Sequence, residues 1–124
     1  MRVLLDTHLL LWALGAPSRL PAAAQRVIRD SDVYVSAASI WEISIKVSLG
    51  KLSADPEEVL AAIGPAGFLP LPIVGDHAAR VARLPPIHRD PFDRLLIAQA
   101  ITEPMRLLTN DSVLAGYGDI VAIV

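Results

Sequence analysis

No cysteine occurs in the 124 residues. That excludes a disulfide framework and any thiolate nucleophile or thiolate metal site. Aromatic residues are scarce, 5% of the chain against 53% hydrophobic residues, so a core must be assembled from Leu, Ile, Val and Ala. No apolar run reaches the length of a membrane span. An excess of positive charge is also missing. The net charge is −2, so the molecule as a whole is not a basic nucleic-acid binder. Any contact with phosphate would need a local patch or a bound cation. Arg2 followed by Val3-Leu4-Leu5 and Leu9-Leu10-Leu11 has the outline of a secretory signal, but Asp6 and His8 interrupt the apolar segment. A cytoplasmic protein is the expectation, with no membrane involvement.

What is present is apolar in excess. The mean hydropathy is +0.49, which fits either a well-filled core or an exposed apolar face that meets a partner. The length suits one domain, residues 1–124, with a substantial core.

The chain is organised around Val3-Leu4-Leu5-Asp6. An unbroken apolar run of this kind is expected of a strand covered on both faces, as in a parallel sheet between helices. Further strands are expected at Val33–Val35, Phe68–Ile73, Arg106–Thr109 and Ile120–Val124. Helices are expected at Leu9–Leu14, Pro21–Arg29, Ile40–Leu49, Asp55–Gly64, Gly75–Leu84 and Asp90–Pro104. Asp55-Pro56-Glu57-Glu58 and Asp90-Pro91 are strong helix starts, with an Asp cap and Pro at the first position. The helix at 40–49 is apolar on most faces, which predicts burial nearly all round. Alternation of strands and helices predicts an α/β fold with a parallel sheet.

Four carboxylates follow strand ends or sit in apolar company. Asp6 ends the first strand, Glu42 lies in the helix after the second, Asp93 opens the last long helix, and Asp111 follows the strand at Leu107. Ligand sites in such sheets form outside the carboxyl ends of the strands. Each acid also has a purely structural reading. Asp6 and Asp111 could cap helices, Asp93 could reach back to its own helix start, and Glu42 with Lys46 could be a surface pair at helical spacing. Taken together, four converging carboxylates would repel and raise one another's pKa. A hard divalent cation, Mg2+ or Mn2+, relieves that penalty through oxygen ligands. Such a centre suits phosphodiester hydrolysis, and it lets an acidic protein hold a polyanion. His8, His77 and His88 lack metal-ligand spacing and are expected at the edge of the site or on the surface.

The segments Val3-Leu4-Leu5-Asp6-Thr7-His8, Ser36-Ala37-Ala38-Ser39-Ile40-Trp41-Glu42-Ile43, His88 to Ala100 and Leu108-Thr109-Asn110-Asp111 together resemble the PIN-domain ribonucleases, and among them the VapC-type toxins of toxin–antitoxin pairs. The resemblance covers nearly the whole chain in motif order. It implies a parallel β-sheet flanked by α-helices on both faces. It also implies a metal-dependent endoribonuclease with RNA as substrate, a cognate antitoxin as partner, and a homodimer or larger assembly. Asp6, Glu42 and Asp93 match the most recurrent acidic positions, and Asp111 matches a more variable fourth. Thr7, Ser39 and Thr109 match polar positions beside them. Arg89 and Arg94 flank the acidic site and are candidates for contacting RNA phosphates. Asp90 also lies near the site and reads as the helix cap.

Two other readings compete. A phosphorylation-dependent receiver domain would need an Asp at a central strand's end and a Lys after a later strand. Phe68–Ile73 carries no Asp, and the two lysines, Lys46 and Lys51, both come early. A non-catalytic PIN-like binding module would be expected to lose at least one acid, and all four are retained.

Overall fold

The computed structural model describes all residues, 1–124. At its centre is strand β1 (Arg2–Leu5), in which Val3, Leu4 and Leu5 are wholly buried. Strand β2 (Asp32–Ser36) pairs with one side of β1 and β4 (Arg106–Thr109) with the other. The outer strands are β3 (Leu69–Leu71) beside β2 and β5 (Val121–Ile123) beside β4. The sheet order is β3-β2-β1-β4-β5, and every pairing is parallel.

The helices are α1 (Thr7–Gly15), α2 (Ala22–Asp30), α3 (Ala37–Ser48), α4 (Pro56–Ala62), α5 (Gly75–Arg80) and α6 (Pro91–Thr102). Side chains alternate along a strand, so β1 feeds two cores. Leu4 and Leu107 join Leu96, Ile97 and Ala100 of α6 on one face. Val3, Leu5 and Leu108 join Leu9 and Leu10 of α1 and Ile43 of α3 on the other. This two-sided cover is why the strand can be apolar without interruption.

Three local expectations are revised. The segment 68–73 contributes only Leu69–Leu71. It is an edge strand, the position where Pro70 and Pro72 cost least, because the missing N–H groups are not needed by a second neighbour. The helix beginning at Gly75 ends at Arg80, and Val81–Arg83 continue as a 3-10 turn before Pro85 and Pro86. Helix α3 is not buried all round. Its buried stripe is Ala38, Ser39, Glu42 and Ile43, whereas Trp41 is 55% exposed. Positions three and four apart share a helix face, so the charged Glu42 turns inward and the large aromatic turns out. The Trp41 ring rests edge-on against Phe92 of α6 at 5.1 Å between centroids. No helix is long and apolar enough to cross a membrane.

Candidate active site

The order β2-β1-β4 puts a topological switch at β1, since the chain leaves it toward β2 first and adds β4 on its other side later. The carboxyl ends of these three strands open into one pocket of about 360 Å³. It is lined by Asp6, Glu42, Asp90, Asp93 and Asp111, together with His8, Trp12, Lys46 and Asn110. The four acids expected from the sequence therefore do converge, and Asp90 stands with them.

Each carboxylate is held by a specific local device. Asp6 caps α1, accepting weakly from the His8 N–H at 3.3 Å through Oδ1. Its Oδ2 accepts the Thr109 hydroxyl at 2.5 Å, and its own N–H is tied to the Leu108 carbonyl. The capping role and the place in the site are thus compatible, because the two oxygens serve different partners. Thr109 in turn accepts the Asp111 N–H at 3.1 Å. Glu42 is 4% exposed. Its Oε1 accepts the Thr7 hydroxyl at 2.7 Å, and Thr7 lies 2.9 Å from the Ser39 hydroxyl. Its Oε2 accepts the Lys46 ammonium at 2.6 Å. Along the chain, Lys46 relates to Glu42 only by helical spacing. The structure makes it the one lysine of the pocket.

Asp90 and Asp93 divide their work along the first turn of α6. Asp90 Oδ1 accepts the N–H groups of Phe92 and Asp93 at 2.8 and 3.0 Å, the expected cap. That leaves the Asp93 side chain free to face the pocket. Burial, then Asp6, Asp90, Glu42 and Asp111 in turn, push the Asp93 carboxyl up to about 7. Asp111 Oδ1 caps the turn Ser112–Tyr117 through the Val113 N–H at 3.0 Å.

His88 is closer to the chemistry than its sequence position suggested. Its Nε2 lies 3.5 Å from Asp93 Oδ2 and 3.5 Å from Asp111 Oδ2. These three side chains alone have the proximity of a metal-binding trio. The tautomer argues otherwise, because His88 Nδ1 accepts the Asp90 N–H at 3.0 Å, so the ring proton sits on Nε2. A protonated nitrogen cannot donate a lone pair to a cation. His88 instead presents its Nε2–H 3.5 Å from each of two carboxylates. The sequence signal was present, five residues before Asp93, but no spacing rule for ligands would have selected it.

Two expectations are corrected. Arg94 is not free to meet a substrate. Its Nη1 donates to the carbonyls of Pro85 and His88 and to the Tyr117 hydroxyl, and its Nη2 donates to the Val81 carbonyl. A guanidinium spent on four oxygens fixes the loop that presents His88. Arg89, by contrast, is exposed at the start of α6 and enters no ion pair. His77 is neither peripheral to the site nor on the surface. It is 1% exposed and belongs to a separate polar network.

The donor set fits a hard divalent cation. All five acids offer carboxylate oxygens, and the strain of gathering them is visible in the raised Asp93. Asp6, Glu42, Asp90, Asp93 and Asp111 all line this pocket, with Asp93 and Asp111 the tightest pair beside His88.

Comparison with known proteins agrees with this geometry. The PIN domain family profile matches residues 3–119. Ribonuclease VapC22 of Mycobacterium tuberculosis is 33% identical over 120 residues, covering 88% of this chain and 86% of that protein. Among solved structures, VapBC2 from Rickettsia felis, bound to a DNA fragment from its promoter, superposes with a TM-score of 0.69 at 15% identity, covering 100% of this chain and 98% of that one. FitAcB from Neisseria gonorrhoeae gives 0.63 at 21% identity, covering 98% and 96%. Profile and relative agree, and the chain belongs to the PIN domain family.

Proposed function

We propose that residues 1–124 form a single PIN-like nuclease domain acting as a Mg2+- or Mn2+-dependent endoribonuclease, the toxin of a toxin–antitoxin pair. The observation that carries this reading is the convergence of five carboxylates on one pocket at the switch point of a parallel sheet. A structural surface has no use for such a cluster, since the charges repel and one of them is driven up to about 7. The 33% identity to a protein named as a ribonuclease supports RNA as substrate.

The residues divide the task as follows. Asp6, Glu42, Asp93 and Asp111 would hold the cation. When bound, it supplies an acidified water and neutralises charge on the phosphate oxygens. Thr109 fixes Asp6, and Thr7 with Ser39 fixes Glu42, so that both carboxylates face the pocket without reorganising. His88 presents its Nε2–H 3.5 Å from each of Asp93 and Asp111. Arg89 stands at the open rim as the cation for RNA phosphates. A reaction on cellular RNA supports a cytoplasmic site of action.

The solved neighbours named VapBC support an antitoxin partner. An apolar groove of about 550 Å³ beside α3 and α4 supports an assembled state, either a homodimer or a toxin–antitoxin complex. Trp41 and Leu60, both more than half exposed, stand on its walls.

The test is cleavage of RNA by wild type and by Asp6→Asn, with Mg2+ or Mn2+ and with chelator. Metal-dependent cleavage that Asp6→Asn abolishes supports the reading. RNA binding without turnover in Mn2+ overturns it in favour of a non-catalytic binding module.

A further inference from the structure

The pocket contains a cation of its own. Lys46 Nζ sits 2.6 Å from Glu42 Oε2, while Glu42 Oε1 is occupied by the Thr7 hydroxyl. Glu42 is thus engaged on both oxygens before any metal arrives. Four further carboxylates line the same pocket, so the ammonium is the main positive charge they face. The two ends of this pair differ in mobility. Glu42 is buried and tethered to Thr7, with its side chain 6% exposed, whereas the Lys46 side chain is 38% exposed on a flexible stem. Only the lysine can leave.

We propose that Lys46 is a built-in substitute for the divalent cation, pairing with Glu42 in the metal-free protein and swinging out to solvent when the metal binds. This rests on the reading of the pocket as a metal centre. A divalent cation and an ammonium held by one carboxylate would repel at close range, so occupancy by one would disfavour the other. Lys46 thereby does two things. It stabilises the metal-free fold by compensating a buried charge, and it weakens metal binding by competing for Glu42. It is a positioning residue, because it acts through Glu42 and not on the substrate.

The chain has two lysines, which makes a direct test simple. Protein labelled with 15N-lysine gives two side-chain ammonium signals, one from Lys46 and one from exposed Lys51. In chelator, Lys46 should show the shift and slowed proton exchange of a paired ammonium. Saturation with Mg2+ should move it to the free position near Lys51. In parallel, Lys46→Met should bind Mg2+ roughly tenfold more tightly by calorimetry. It should also melt lower than wild type in chelator and no lower with Mg2+ in excess. A Lys46 signal unmoved at Mg2+ saturation overturns the proposal while leaving the metal centre standing, and so does unchanged Mg2+ affinity in Lys46→Met. Absence of Mg2+ and Mn2+ binding to both proteins overturns the metal centre and the proposal together.

Discussion

Two polar clusters interrupt the apolar interior, and they are built on opposite principles. The first joins Ser36, Gln99, His77 and Glu103 behind the sheet. The Ser36 hydroxyl donates to Gln99 Oε1 at 2.5 Å and accepts the Ala38 N–H at 2.9 Å. Gln99 Nε2 reaches the Pro72 carbonyl and His77 Nδ1. The Val74 N–H also donates to His77 Nδ1. With that nitrogen an acceptor, Nε2–H donates to Glu103. Every donor has an acceptor, and one carboxylate faces one N–H donor. The second cluster, the acidic pocket, gathers five carboxylates around one lysine. The closed network holds α3, α5 and α6 together and needs nothing further. The open one is left with crowded negative charge that a bound cation would neutralise. A buried polar group is therefore no sign of function by itself. The sign is a cluster in which several like charges are crowded together.

The contrast breaks most sharply at Asp93 and Gln99, which lie on the same helix. Asp93→Asn removes an anion where charge is required, and metal-dependent RNA cleavage should fall by more than about 100-fold. Its metal-free fold should be as stable as wild type or more so, since one repelling charge is gone. Gln99→Leu should do the reverse. Leaving Ser36 and His77 without their partner should cost about 1–3 kcal/mol of stability, with Mg2+ affinity unchanged. Calorimetric Mg2+ titration and chemical denaturation in chelator read both quantities. Loss of Mg2+ binding in folded Gln99→Leu would erase the distinction between the clusters.

A smaller effect concerns pH. The fold raises Asp93 to about 7 from the ordinary carboxylate range near 4. Between those values the native protein keeps a proton that the unfolded chain has released. Metal-free stability should therefore fall as pH rises through this window and stay low above it. Unfolding in chelator at pH 5 and pH 8 measures the drop, and Asp93→Asn should flatten it. A stability that rises over this interval in wild type would contradict the burial of Asp93 among its acidic neighbours.

Thr109→Val sharpens the comparison within the acidic pocket. It keeps the side-chain shape but removes the hydroxyl that holds Asp6. Metal affinity should weaken by about tenfold, the usual range for losing a group that orients a ligand. The smallest effect belongs to the arginines. Arg89→Ala should leave the melting temperature unchanged and reduce the salt dependence of RNA binding by about one phosphate contact. Arg94→Ala should lower the melting temperature, because it unties the carbonyls of Val81, Pro85 and His88. An unchanged salt slope for Arg89→Ala would remove it from the RNA interface.

Much of the architecture was legible in one dimension. The run Val3-Leu4-Leu5 required a strand covered on both sides, and Asp90-Pro91 required a capped helix start. The acids at strand ends pointed to one sheet edge once the sheet was parallel. These features are local, and each depends on residues a few positions apart. What escaped was set by direction and pairing across the fold. Trp41 and Glu42 are adjacent in a helix that is apolar on most faces, and only its packing against α1 and the sheet decides which of them is buried. Arg89 and Arg94 look equivalent along the chain, yet a loop of carbonyls captures one and leaves the other exposed.

By itself, then, the sequence determined the parallel α/β frame, the caps and the set of carboxylates that gather at β1, because strand periodicity, capping chemistry and connection order are encoded locally. Tertiary structure alone decided the protonation and partners within that set. It put the His88 proton on Nε2 by offering Nδ1 the Asp90 N–H, it raised Asp93 by burying it among like charges, and it placed Lys46 on Oε2 of Glu42. Electrostatic energies depend on distances of a few ångströms between residues far apart in the chain, and only the folded molecule fixes those distances.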